Sequence, residues 1–307
     1  MTFTFTPVCH PTRLRRAGAP FFHFLGASEL PRGKVFALSA KTLGRAIRRE
    51  RATDTMPQHS PRKVFRMKLF YDLHLHSCLS PCGSEDMTPA DLAAMCALAG
   101  LDIVALTDHN TCGNCAAFCR AAEARGLLAL AGMELCTAEE IHVICLFPDP
   151  GRAEEFGRLV YGRLPPIANR PEIFGRQLYM DDGDGVLGEE PRFLGGASSI
   201  SLAEVPGLAA SCGGTAFPAH IDRPSFSLLG VLGLWEPSLG FPLAEVSRRC
   251  PRSLRTRPDL AGVRLITNSD AHYLEQVWEA EHTMELPQRT PEAVLDWLRG
   301  PHPPSAG

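Results

Sequence analysis

The stretch Phe70–Gly83, "FYDLHLHSCLSPCG", decides the reading of this chain. Side chains alternate along a strand, so residues i and i+2 share a face. His74 and His76, at the end of an apolar run, therefore aim two imidazoles at one point, which suits a metal ion. Two partly exposed histidines near a strand end would look the same, and the pair alone does not separate the readings. Partners must come from elsewhere in the chain.

Around that stretch the pattern alternates between strands and helices. Leu69–Leu75 reads as a strand. Thr88 is a good N-cap, with Pro89 at the first helical position, and the helix stops at Gly100. Asp102–Leu106 is a short buried strand ending in "TDHN". Asn114–Arg125 is a helix closed by Gly126. "LLALAG" leads into "GMELCT", and Ile141–Phe147 is a further strand. Strands followed by helices of about a dozen residues predict parallel βα units. Pro148–Gly214, with "DDGDG" and "LGGASS", reads as an insertion with helix near Glu154–Tyr161 and Leu202–Ala210, either a lid or a surface excursion. The rhythm resumes at Thr215–His220 and Val263–His272, and Pro291–Arg299 closes the chain as a helix.

Composition bounds the class. The 307 residues are 45% hydrophobic and 21% charged, ordinary for a globular protein. No apolar run approaches the roughly 20 residues that span a bilayer. The 11 cysteines fall partly inside apolar patterns, as Cys96 and Cys145 do, which predicts reduced thiols and a cytoplasmic setting. Residues 1–66 hold 13 of the 31 Lys+Arg and 3 of the 34 Asp+Glu, leaving 67–307 with 18 basic and 31 acidic residues, a net of −13. The basic segment lacks a secretory pattern. It reads as a transit peptide, an interaction arm, or sequence upstream of the mature protein, and the last is preferred because "MKLFYDLHLH" makes a natural first strand. The expected organisation is a basic, disordered extension at 1–66, a domain at 67–300 with its insertion at about 148–214, and a tail at 301–307. The acidic body argues against gripping nucleic acid by charge alone.

Ligand-type residues recur where strands end: His74 and His76, Asp108 and His109, Glu134, His142, His220, and Asp270 with His272. Parallel βα architectures build their sites at that end. "DLHLHS", "TDHN", "GMEL", "IHVICLF", "PAHID" and "NSDAH" together resemble, in order, the motifs of the PHP (polymerase and histidinol phosphatase) superfamily, from Lys68 to about Trp278. The resemblance implies a distorted (β/α)7 barrel of α/β class and two or three divalent ions (Zn, Mn or Fe) that hydrolyse phosphoesters. It implies one metal on His74, His76, Glu134 and Asp270, a second on Glu134, His142 and His220, and a third on His109 and His272. The third usually has an Asp or His donor in the loop after the first motif. Here Cys82 stands in that loop, with Asp86 as the alternative. Asp108 is expected to orient a ligand rather than bind metal.

The chemistry implied is attack by a metal-activated hydroxide, with no side-chain nucleophile and no G-x-S-x-G elbow. Arg223, in "HIDRPS", is the first candidate to hold phosphate, and Arg176 a second. Cys112, Cys115 and Cys119 have cluster-like spacing but share one helix face, and are read as core thiols rather than iron–sulfur or zinc ligands. A metal-bridging amidohydrolase lysine is disfavoured, since no lysine follows Lys68. The alternative function is a non-catalytic metal-binding regulatory module. The expected partner is a small phosphorylated substrate, with a nucleic-acid end as a lesser option and no membrane.

Overall fold

The computed structural model describes residues 66–300; the expected basic extension and the 301–307 tail lie outside the described residues, apart from Arg66. The strands are β1 (Met67–Leu75), β2 (Ile103–Leu106), β3 (Leu128–Cys136), β4 (His142–Phe147), β5 (Leu178–Met180), β6 (Val186–Glu189), β7 (Thr215–Pro218), β8 (Ala244–Glu245), β9 (Leu265–Ile266) and β10 (Thr283–Leu286). The α-helices are α1 (Pro89–Leu98), α2 (Cys115–Glu123), α3 (Pro150–Arg163), α4 (Pro171–Phe174), α5 (Val205–Ser211), α6 (Leu228–Leu232), α7 (Arg252–Arg255) and α8 (Pro291–Arg299).

Six strands form one curled sheet in the order β10-β1-β2-β3-β4-β7. The β1–β2 and β2–β3 pairs are parallel, as the βα rhythm predicts. The β3–β4 and β4–β7 pairs are antiparallel, which corrects the expectation of uniformly parallel units. Only Thr137–Ile141 separate β3 from β4, and a parallel return needs a crossover of a dozen residues or more. The short parallel pair β8–β9 stands beside the sheet. The segment after β9 reaches β1 through a Leu75–Ala271 bridge, and β8 meets the segment after β7 through the Ile221 N–H, which donates to the Glu245 carbonyl at 2.9 Å.

Both faces of the sheet are buried, and strand alternation sorts the two cores. Val104, Leu106, Val143, Cys145 and Phe147 belong to a core that also holds residues of α1, α2, α3 and α5. Ile103, Ala105, Ile144, Leu146 and Phe217 face the other way, into an inner core that includes Val294, Leu295 and Leu298 of α8. That two-sided burial explains why the strands read as continuous apolar runs. In β1 the register breaks between Asp72 and Leu75. Leu73 packs in the inner core and Leu75 in the outer one. This bulge is what turns His74 and His76 to the inside; unbroken alternation would send them opposite Leu73.

Helix caps follow the sequence. Thr88 accepts from the Asp91 N–H at 3.3 Å, and Gly100 ends the segment at φ 78°. The insertion is more ordered than its composition suggests. Its "DDGDG" is the turn of the β5–β6 hairpin, where the Asp181 carboxylate accepts from the N–H groups of Gly183 and Gly185 at 2.9 and 2.7 Å. The segment docks on the loop after β1, with the Leu178 N–H donating to the Cys78 carbonyl at 3.0 Å.

Gly132 sits mid-strand in β3, and a Cβ there would meet the Cys145 carbonyl and Leu146 Cδ2 at 2.7 Å each. Gly132→Ala should destabilise the fold by about 1–3 kcal/mol through overpacking. Urea unfolding followed by circular dichroism would read it, and an unchanged midpoint would contradict this packing.

Candidate metal centre

The inner face of the sheet delivers its polar side chains to one end. β1 brings His74, and His76 follows its last residue. The loop after β2 brings Asp108 and His109, with His109 bridged to Glu134 of β3. His142 is the first residue of β4, not its last; because β4 runs antiparallel to β3, its start lies at the site. His220 follows β7, and Asp270 and His272 follow β9. Asp270 is fixed by its N–H, which donates to the His74 carbonyl at 3.0 Å.

Three groups converge closely enough to hold a cation: His74, His76, Glu134 and Asp270; His109, Glu134 and His142; and His76, His109 and His272. Glu134, 1% exposed, is common to two of them. Its Oε1 stands 3.3 Å from His74 Nε2 and 3.0 Å from both His142 Nδ1 and His220 Nε2. Its Oε2 stands 3.3 Å from His76 Nε2 and 3.0 Å from His109 Nδ1.

The hydrogen-bond inventory tests whether a cation fits. His74 Nδ1 lies 3.1 Å from each Glu245 carboxylate oxygen, which fixes its proton on Nδ1. Asp108 accepts from the Ser80 hydroxyl at 2.7 Å, so that oxygen in turn accepts from His76 Nδ1 at 3.0 Å. Both imidazoles then turn Nε2 inward, where the two Nε2 atoms face each other at 3.1 Å and each lies within 3.3 Å of the Glu134 and Asp270 carboxylates. Two lone pairs would repel at that distance, so these inner nitrogens call for a proton or a cation between or beside them. His220 Nδ1 is buried without a hydrogen-bond partner. This donor set, imidazole and carboxylate with its outer nitrogens oriented by carboxylates, suits a divalent transition-metal ion.

The electrostatics place positive charge at these inner nitrogens, as protons or as a cation. Burial opposes ionisation of Glu134, but His142, His74 and His109 outweigh it and hold its carboxyl well below the usual range. Burial also opposes a charge on His74, yet Glu245, Asp270 and Glu134 raise it well above the ordinary imidazole value. His76 and His109 are raised against burial in the same way. For His272 burial prevails, joined by the charge of His76, and its pKa falls to about 3. His272 is thus neutral, with Nδ1 donating to the Asp270 carbonyl at 2.9 Å.

Not every expected residue joins the cluster. Cys82 is exposed and lies outside all three groups, although it is close enough to His109 to raise that imidazole. His76 stands where the extra donor was expected, its ring stacked on His272 at 4.0 Å. Asp86 is exposed and outside the groups as well. His220 touches Glu134 without entering a convergent triad, and His109 takes the corresponding place. Arg223 reaches the cluster and pairs with Asp270, its side chain 44% exposed. Arg176 is instead engaged by Glu189 at 2.6 Å on the surface. Cys112 and Cys115 are buried and donate to the Gly132 carbonyl at 3.2 and 3.3 Å, and no group converging on a cation position among the described residues includes a cysteine.

Sequence reasoning missed Glu245 and Ser80. Glu245 orients His74, accepts from the His220 N–H at 3.1 Å and takes the Asn268 amide at 2.6 Å. Its signal was a lone acid closing the short apolar run "FPLAEV"; the two-residue β8 was too brief to register as a strand. Beyond the cluster, His109 and His142 open onto a cavity of about 210 Å³ walled by Phe174, Phe193 and Phe226.

Residues 72–179 match the PHP domain family. No curated protein matches the chain by sequence. Among solved structures it is similar to the lesion-specific endonuclease Q of Pyrococcus furiosus, with a TM-score of 0.55 and 18% identity over 76% of this chain and 56% of that one. It is similarly related to endonuclease Q in complex with a 27-mer duplex bearing an abasic lesion, at TM-score 0.54 and 17% identity over 75% and 56% of the two chains. The chain thus spans little more than half the length of that enzyme, and the likeness is one of fold.

Two outcomes follow from the inventory. Glu245→Gln should preserve the fold but weaken divalent-metal affinity by roughly 10–100-fold, measured by competition with a chromogenic chelator; unaltered affinity would remove Glu245 as the orienting group. The raised imidazoles hold protons when no cation is present, so metal uptake should release protons and weaken as pH falls. Calorimetry in two buffers of different ionisation enthalpy reads that release, and a buffer-independent heat would exclude these imidazoles as ligands.

Proposed function

We propose, from the match of residues 72–179 to the PHP domain family, that the protein is a metal-dependent hydrolase of phosphoester bonds. The observation that carries the reading is the convergence of His74 and His76, their Nε2 atoms 3.1 Å apart, with Glu134 and Asp270 at one position that could hold a cation. In this reading the functional domain is residues 67–300, with 148–214 as an insertion that supplies one wall of the site.

His74, His76, Glu134 and Asp270 would hold one ion. Glu134 would bridge to a second held with His142 and His109, and His220 would approach it from the opposite wall. His76, His109 and His272 would hold a third, with Cys82 at its open side. Ions bound there would acidify a water from about 15.7 toward neutrality and neutralise phosphate oxygens. The chain's own groups do the rest. Glu245, and Asp108 through Ser80, keep the imidazole protons on the outer nitrogens. Asp270 anchors the Arg223 guanidinium at the rim, where its exposed face can meet phosphate oxygens in the forked geometry that guanidinium groups favour. The buried, apolar surround of the cluster strengthens each of these interactions.

The fold similarity to an endonuclease is consistent with phosphodiester as well as monoester substrates, and the spectrum is to be measured. A panel of phosphate monoesters and diesters, assayed with Mn, Zn or Fe, should reveal turnover that chelation abolishes. His74→Ala and Asp270→Ala should each lower both metal content and turnover by at least 100-fold while leaving the circular dichroism near wild type. Full metal content in both variants would sink the assignment.

A further inference from the structure

A groove of about 510 Å³ lies beside the metal cluster, and its charge is opposite to that of the chain as a whole. Arg223, Arg248 and Arg249 line it together with a single acid, Asp222. That acid is already committed: its carboxylate accepts from the Ser247 N–H at 2.6 Å and from the Ser247 hydroxyl at 2.5 Å. Arg248 lies over the Trp278 ring at 5.0 Å and pairs with Glu281 at 3.4 Å, an exposed contact of the kind worth less than about 1 kcal/mol and readily exchanged. Arg249 is exposed, and no ion pair engages it among the described residues. The surplus continues along the chain, for Ser247–Arg257, "SRRCPRSLRTR", holds five arginines and no acid. Residues 67–307 carry a net charge of −13, so this concentration is local.

The groove is continuous with the cluster. Arg223 lies three residues after His220 and pairs with Asp270, and Ser269, also in the groove wall, directly precedes Asp270. A ligand with one end at the metal cluster would pass Arg223 and reach Arg248 and Arg249. Guanidinium forks match phosphate oxygens bidentately, and their weak hydration favours such contacts.

We infer that this groove binds a second phosphate of the substrate, so that the molecule hydrolysed carries at least two phosphates, one at the cluster and one on Arg248 and Arg249. The inference rests on the phosphoester reading of the site. The second phosphate belongs either to a small bisphosphate or to the next link of a nucleic-acid strand, and both present the same chemistry to the arginines.

The test compares wild type with an Arg248→Gln/Arg249→Gln variant, both side chains being exposed so that folding is spared. Three substrates are used: 4-nitrophenyl phosphate, the bisphosphate of a short diol, and a 5′-phosphorylated oligothymidylate. The wild type should prefer a two-phosphate substrate in kcat/KM, and the variant should lose about tenfold of that preference, carried mainly by KM. Loss on the diol bisphosphate identifies a small-molecule substrate, and loss confined to the oligonucleotide identifies a strand. An unchanged preference on both overturns the inference. If no phosphoester is hydrolysed at all, the reading of the site fails separately, and the groove is decided by binding. Quenching of Trp278 by the bisphosphate or oligonucleotide, weakened about tenfold in the variant and absent in Trp278→Phe, would uphold it; equal affinity in wild type and variant would overturn it.

Discussion

One buried carboxylate organises the centre of this molecule. Glu134 stands within 3.3 Å of imidazole nitrogens from His74, His76, His109, His142 and His220. An isolated carboxylate at that depth would cost several kcal/mol and would protonate instead. Here the surrounding imidazoles keep it ionised, and it in turn raises the basicity of His74, His76 and His109. Each of the five comes from a different turn of the fold or from the far side of a bulge. The sheet register, the β1 irregularity and the antiparallel β4 are therefore all constrained by the need to reach one pair of oxygens.

That constraint is visible in the backbone. Asp270 and His220 both adopt positive φ, 54° and 26°, in a region that side-chain-bearing residues rarely enter. Such conformations cost of order 1–3 kcal/mol and persist only where surrounding bonds over-determine them. At Asp270 the N–H donates to the His74 carbonyl, and at His220 it donates to Glu245. Glu245 thus joins three tasks: it orients one imidazole, holds the strained backbone of another, and caps the Asn268 amide, which in turn accepts from the Leu73 N–H at 2.9 Å. Removing its charge weakens all three contacts at once, so Glu245 acts on the cluster through His220 and Asn268 as well as through His74.

What was legible in the sequence was local. The i, i+2 spacing of His74 and His76, the Thr88 cap and the final helix depend on neighbours only a few residues away. What was not legible depended on partners far along the chain. The face of β1 occupied by His74 and His76 is set by a bulge that alternation alone cannot show. The direction of β4 could have been read, since five residues cannot house a crossover helix. That His76 converges with His109 and His272 depends on three elements far apart in the chain. Glu245 meets His74 across 171 residues, through a strand too short to leave a periodicity. Arg176 was legible only as a charge, and the hairpin that supplies its partner Glu189 was hidden in a Gly- and Asp-rich stretch.

The division of the chain gives these facts a common sense. The matched segment ends at residue 179 and supplies His74, His76, His109, Glu134 and His142, all on or beside long, well-paired strands. His220, Glu245, Asp270 and His272 come from beyond it, on two-residue strands or on loops, two of them with strained backbones. The Arg-rich groove is built wholly from this later part. Regular sheet holds a fixed set of donors rigidly, whereas short strands and loops can change what they present without disturbing the core. The first part therefore carries the geometry on which any hydrolytic chemistry depends. The second both completes the cluster and faces whatever enters it, so substitutions there can alter substrate preference and metal affinity together, through Arg223 and Asp270, which touch each other.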